Sequence, residues 1–271
     1  MTVPLSRSGR SALEVAEEAS QQAGELIVER FGTQKRVSYK GRANVVTDVD
    51  IQAEKLILRL LQEEYPDFSV LSEESEARIT GSSYAWVVDP LDGTRNYASS
   101  VPHFCVNIAL TSDQEVVLGV TYDPVRRELF RVQRGQGAYL NGQPIAVSGK
   151  QRLEDCLIGF DMGYADHKGV WALRMVQHLW PGMQSIRMMG SSALGLAYAA
   201  CGRVDLYFHH HLYPWDVASG LLLVQEAGGM VTDRFGQPAT LESSSVAASS
   251  PRLLKSFLKA TEGLEWRRLP S

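Results

Sequence analysis

Apolar positions fall into two periodicities that divide the chain. Leu13, Ala16, Ala23, Leu26 and Ile27 recur at helical intervals behind Ser11 and Glu14, whose spacing is that of a capping box. An opening helix is therefore expected, ending near Gly32. Thr47 and Asp50 repeat the capping spacing before Ile51, Leu56, Ile57, Leu60 and Leu61, and Tyr65-Pro66-Asp67 closes this second helix. From Phe68 the texture shortens to apolar runs at 68–71, 84–88, 104–111, 116–122 and 128–132, which read as strands of a largely antiparallel sheet. Asn141-Gly142 adds a hairpin signal. Beyond Lys150 helix and strand alternate: strands at 156–160, 185–188 and 204–208, helices at 167–180, 191–201, 215–227 and 251–261. The expected fold class is α+β, with the opening helices and large sheet in 1–150 and a second α/β half in 151–271.

The 271 residues, 44% of them hydrophobic, suffice for a substantial core. Cys105, Cys156 and Cys201 are odd in number and far apart, so neither a disulfide framework nor a zinc knuckle is expected. A reducing, cytoplasmic setting follows as an expectation. No signal-type or membrane-spanning apolar stretch is visible, so no membrane partner is expected. A net charge of −4 argues against nucleic acid as a partner. It also means that an anionic substrate would need a bound cation to draw it in.

Two expected strands finish in acids, one in Glu73-Glu74 and the other in Asp89-Pro90-Leu91-Asp92-Gly93-Thr94. Several carboxylates gathered at neighbouring strand ends repel one another unless a cation lies between them. Pro90 holds Asp89 extended and turns the chain, so Asp92 can swing back toward the same point with the Leu91 carbonyl as another oxygen donor. Gly93 permits a backbone conformation that brings Thr94 and the following N–H groups toward phosphate. Trp215-Asp216 opens a helix that ends at Gly228-Gly229, and Asp50 also lies in a first helical turn. An all-oxygen donor set selects Mg²⁺, with Mn²⁺ as substitute.

An early Asp, then Glu-Glu, then Asp-Pro-Leu-Asp-Gly-Thr-Arg-Asn, then Trp-Asp with a later Gly-Gly is an ordered series that resembles the lithium-sensitive inositol monophosphatases. The resemblance spans nearly the whole chain and takes in Trp86-Val87-Val88 and Gly190-Ser191-Ser192-Ala193. It implies a layered α-β-α-β-α sandwich, commonly a homodimer, and a Mg²⁺-dependent phosphomonoesterase using two or three ions. Glu73, Asp89 and the Leu91 carbonyl are similar to ligands of one metal, and Asp89, Asp92 and Asp216 to ligands of a second. Thr94 with Glu73 and Asp50 resembles the group that deprotonates the attacking water, and Glu74 resembles their support. Gly93, Thr94, Ser192 and Asp216 would lie near the substrate. The substrate would be a small phosphorylated metabolite, inositol 1-phosphate first. Fructose 1,6-bisphosphate, histidinol phosphate and adenosine 3′,5′-bisphosphate belong to similar enzymes, and a regulatory binding protein with secondary phosphatase activity is the reading from another class.

Two positions depart from the family pattern. Ser72 stands where Gly is usual, and His209 stands where inositol-specific members carry a Glu that binds a sugar hydroxyl. His209 is thus a candidate substrate contact. The run His209-His210-His211 would alternate faces on a strand, so it is expected to be a polar strand end rather than a grip on one ion.

Overall fold

The computed structural model describes residues 3–41, 44–163 and 165–268. Both capping boxes form, at Ser11/Glu14 and at Thr47/Asp50. They open α1 (Ala12–Phe31) and, after a short hairpin of β1 (Val37–Gly41) and β2 (Asn44–Thr47), α2 (Asp48–Glu64). The hairpin was not evident in the apolar pattern, because its residues lack a continuous hydrophobic face.

A seven-stranded sheet follows: β3 (Ser69–Ser72), β4 (Tyr84–Asp92), then after the short α3 (Thr94–Ala98) β5 (Cys105–Ser112), β6 (Glu115–Asp123), β7 (Glu128–Gln133), β8 (Ala138–Leu140) and β9 (Gln143–Pro144). Spatial order equals chain order, and only the β3–β4 pair is parallel. The chain then gives β10 (Leu157–Phe160), α4 (Asp166–Leu179), β11 (Ser185–Met188), α5 (Ser192–Ala200), β12 (Leu206–His209), α6 (Pro214–Glu226), β13 (Met230–Thr232), β14 (Val246–Ser249) and α7 (Pro251–Ala260). These five strands form a second sheet in the order β11-β10-β12-β14-β13. Strands β13 and β14 are additions to the sequence reading, being three and four residues long.

Alternation along the strands builds five layers. Val106, Ile108 and Leu110 of β5 join Trp86 and Val88 of β4 in a core with Ala16, Ala23, Ile27, Ile57 and Leu61 of the first two helices. The opposite-facing Val87 and Ala109 pack instead with Leu196, Val217 and Leu221 of α5 and α6. Those helices touch the second sheet through Tyr207 and Ala248. Its other face, through Phe160 and Phe208, meets Met175 of α4 and Phe257 of α7. The result is an α-β-α-β-α sandwich in which both sheets are covered on both faces, which is why their strands read as near-continuous apolar runs. Small residues let the middle layer close. A Cβ on Gly195 of α5 would lie 2.3 Å from the Tyr207 ring. Among the described residues, no helix is long and apolar enough to cross a membrane.

Candidate active site

The acidic strand end of β4 contains a bulge. Asp89 pairs with Asn107 and Asp92 with Cys105, so three steps on one strand match two on its partner. In a regular strand, residues three apart face opposite ways; the extra residue puts Asp89 and Asp92 on the same face. The Asp89 carboxylate accepts the Leu91 N–H at 3.0 Å, which fixes the turn. Beyond it, Gly93 has φ +93°, and a Cβ there would stand 3.0 Å from the His103 carbonyl. Only glycine suits that combination of conformation and crowding.

Asp216 arrives from the middle layer. It occupies the first turn of α6, where its carboxylate accepts the Tyr213 N–H at 2.7 Å. Its helix is tied to the large sheet by a buried polar network: Asn107 Nδ2 donates to the Trp215 carbonyl at 2.7 Å, and Thr121 Oγ1 lies 2.9 Å from Asn107 Oδ1 and 2.7 Å from Ser219 Oγ. Asn107 is also the cross-strand partner of Asp89. One side chain therefore sets the spacing of two acids contributed by different layers. The carboxylate oxygens of Asp89, Asp92 and Asp216 fall within 4.8 Å of one another.

Crowding and burial both disfavour their charges. Burial, then the charges of Glu73, Asp92 and Asp216, push the Asp89 carboxyl well above its usual range. Burial and the Asp92 charge raise Asp216 to about 8, against hydrogen bonds from Tyr213 and Ser192. Glu73 continues β3, its N–H donating to the Val88 carbonyl at 3.2 Å, and its charge acts on Asp89. The departure at Ser72 has a local explanation. Its hydroxyl donates to the buried Glu54 carboxylate of α2, which also takes the Glu74 N–H at 3.0 Å. The Glu73-Glu74 turn is thereby fastened to α2.

Asp50 forms a second corner. The Thr94 hydroxyl lies 3.0 Å from both Asp50 Oδ1 and the Leu91 carbonyl, one proton facing two acceptors. Burial raises Asp50 to about 6, opposed by hydrogen bonds from Thr47 and Thr94, with the Glu74 charge adding to the rise. Asp92 does double duty: its carboxylate accepts the Ser191 hydroxyl, the Ser192 and Ala193 N–H groups at 3.3 and 2.9 Å, and the Ser192 hydroxyl at 3.2 Å, so it caps α5.

A cavity of about 190 Å³ opens beside these groups, and Asp92, Gly93, Thr94, Ser192, His209 and Asp216 all line it. His209 ends β12, and its Nδ1 accepts the His211 N–H at 3.2 Å. Burial, then the neighbouring His210, His211 and Lys168, holds the His209 imidazole pKa well below its usual value and keeps the ring neutral. Asp161 also lines the cavity and was missed from sequence, although it too is an acid at the end of an apolar run. It receives the Gly190 N–H at 2.5 Å and the Tyr207 hydroxyl at 2.8 Å, while burial raises it to about 7. It thus holds the loop that leads to Ser191 and Ser192. Asn107 was missed as well; a polar residue inside the strand run 104–111 was the available signal.

Comparison with known proteins decides the family. Residues 9–264 match the model of the inositol monophosphatase family. The chain belongs to the inositol monophosphatase family. It is 37% identical to an inositol monophosphatase of Mesembryanthemum crystallinum, over 97% of this chain and 98% of that protein. It is 39% identical to Nus factor SuhB of Escherichia coli K12, over 91% and 94%. The crystal structure of extragenic suppressor protein suhB from Bartonella henselae superposes with a TM-score of 0.89 at 38% identity, over 92% and 98%. This member of the inositol monophosphatase family is a phosphoric monoester hydrolase, and the layered fold agrees with that expected from sequence.

Proposed function

We propose that the enzyme is a Mg²⁺-dependent phosphatase of a small polyol or sugar phosphate, with inositol 1-phosphate as the first candidate. The observation that carries this reading is the meeting of Asp89, Asp92 and Asp216 within 4.8 Å beside a cavity of metabolite size. Three mutually repelling carboxylates, offering only oxygen, suit a small hard divalent cation such as Mg²⁺ or Mn²⁺. Glu73 and the Leu91 carbonyl would complete the donor set. When bound, such cations make water a stronger nucleophile and neutralise charge on the phosphate and the departing alkoxide.

The protein's own groups then have distinct tasks. Thr94 Oγ1 would take a proton from the attacking water as it passes its own to Asp50 Oδ1, whose pKa of about 6 suits a base near neutrality. Gly93, Thr94 and Ser192 hold the phosphate end, and Glu74, on the turn fastened by Glu54, keeps Glu73 in place. His209 accepts at Nδ1, so the neutral ring carries its proton on Nε2 and offers the leaving group a donor. The name of the Mesembryanthemum relative supports inositol phosphate; His209, in place of an acceptor carboxylate, supports a leaving group that presents an acceptor.

Phosphate release with Mg²⁺ should be measured from inositol 1-phosphate, histidinol phosphate, fructose 1,6-bisphosphate and adenosine 3′,5′-bisphosphate. Inositol 1-phosphate should rank among the fastest; no release from any of the four would end the reading. A regulatory binding role is a second reading, supported by the name of the Escherichia coli relative. The partner we propose is a second copy of this chain. The exposed side chains of Val170 and Leu173 on α4, with Trp180 and Met188 beyond it, are available for such a contact. A monomeric mass by light scattering would remove it.

A further inference from the structure

The loop between β11 and α5 leads to Ser191 and Ser192 at the cavity, and it belongs to the second half of the chain, whereas the Asp-Gly-Thr turn that faces it belongs to the first. Asn96, two residues beyond Thr94 on α3, reaches across this seam. Its Nδ2 lies 2.8 Å from the His103 carbonyl, 3.1 Å from the Met189 carbonyl and 3.2 Å from the Gly190 carbonyl. Carbonyl oxygens only accept, so the amide has one orientation available, with two N–H groups serving three acceptors. The Asn96 carbonyl in turn accepts the Val101 N–H at 2.8 Å, which folds the segment 99–103 back onto α3 and brings the His103 carbonyl to the side chain.

The fit leaves no spare room. Gly190 has φ +72°, and a Cβ there would stand 2.7 Å from Asn96 Nδ2; a Cβ on Gly93 would stand 3.2 Å from the Gly190 carbonyl. On its far side the same loop hangs from the end of β10, the Met189 N–H donating to the Phe160 carbonyl at 3.1 Å and the Gly190 N–H to Asp161 at 2.5 Å. The carbonyls of Met189 and Gly190 are therefore held by the first half and their N–H groups by the second. One residue further on begins the segment that Asp92 grips. Asp92 also crosses the seam, but its carboxylate is one that the proposed cation would share. Asn96 spans the halves with no such second duty.

We propose that Asn96 is a positioning residue for the reaction: it holds the Met189 and Gly190 carbonyls so that Ser192 keeps its place at the phosphate end of the cavity when Asp92 is engaged by a cation. The inference rests on the phosphatase reading above and adds to it a group that acts through the loop.

Asn96→Leu keeps the branched shape and removes the donor, and Asn96→Ala carries the test if the leucine variant does not fold. On the full-length enzyme with Mg²⁺ and the fastest of the four esters above, the variant should raise KM and the inhibition constant of inorganic phosphate together, each by about tenfold, while kcat changes by less than about threefold. A residue serving stability alone would lower the melting temperature and leave both constants unmoved, and that result overturns the proposal. Calorimetric binding of inorganic phosphate in Mg²⁺ reads the same loss without turnover. If no ester is hydrolysed, the phosphatase reading fails and this binding still decides the role of Asn96. The route through the loop is checked with Gly190→Ala, whose methyl must push Asn96 aside. Combined with Asn96→Ala it should weaken phosphate binding by clearly less than the product of the two separate effects. Independent effects overturn the route.

Discussion

The two sides of the cavity are built by opposite rules. On one, carboxylates from β4 and α6 are forced together, and burial with the neighbouring acid charges raises the pKa of Asp89 and Asp216. On the other, His209 and His211 at the end of β12 line the cavity, each with Nδ1 engaged, by the His211 N–H and by Lys168 of α4. The acidic side is assembled from strand ends and a bulge, features set by backbone count; the histidine side depends on tautomers. Under the proposed function the first would serve any phosphate ester, whereas His209 on the second would meet what the phosphate is attached to.

The sharpest way to break this contrast is to remove one acid. Asp89→Asn should lower phosphate release by about two orders of magnitude or more, since charge stabilisation worth several kcal/mol is lost. The same change should raise the melting temperature of the metal-free protein, because a crowded buried charge is relieved. Parental turnover in that variant would show that the acidic side is not the engine. Next in size is the spacer between layers: Asn107→Leu should cost about 1–3 kcal/mol in denaturant unfolding by stranding Thr121, Ser219 and the Trp215 carbonyl. It should also weaken Mg²⁺ activation about tenfold; if only stability changes, Asn107 does not set the Asp89–Asp216 distance.

Gly195→Ala tests the middle layer on its own. A methyl 2.3 Å from the Tyr207 ring must displace it, and with it the hydroxyl held by Asp161, at a cost of about 1–3 kcal/mol. An unchanged unfolding midpoint would contradict the tight closure described above. The smallest expected effect is a pH slope. The Asp216 carboxyl sits at about 8 in the folded chain against 3.8 for an ordinary aspartate, so unfolding releases its proton throughout that interval. Its contribution is present in full below about pH 4 and is lost as pH climbs through 8. Metal-free protein should therefore melt a few degrees lower at pH 8 than at pH 5, and Mg²⁺ should flatten the slope. A metal-free melting temperature that rises across this range would contradict the crowding of the acids.

Much of the fold was legible because sheets covered on both faces need apolar runs and helices need caps, and both leave local marks. Asp50, Asp89, Asp92 and Asp216 stood out for the same reason: each follows a strand or opens a helix. Asp161 obeys that rule and was passed over because it stands alone. Asn107 and Glu54 were invisible as site-builders, since their partners are 14 to 112 residues away and only the folded layers bring them together. The histidine side was harder still. His209, His210 and His211 were read as a polar strand end, and nothing in a string of letters tells which nitrogen holds the proton or that Lys168 lies beside it.

The grip of Asp92 on the first turn of α5 links occupancy of the cavity to motion elsewhere. Its carboxylate is anchored to a segment about 100 residues along the chain, at the heart of the sandwich. Under the proposed function a cation sharing those oxygens would compete with that grip, so deuterium uptake at the Ser192 and Ala193 amides should rise with loading, readable without any turnover.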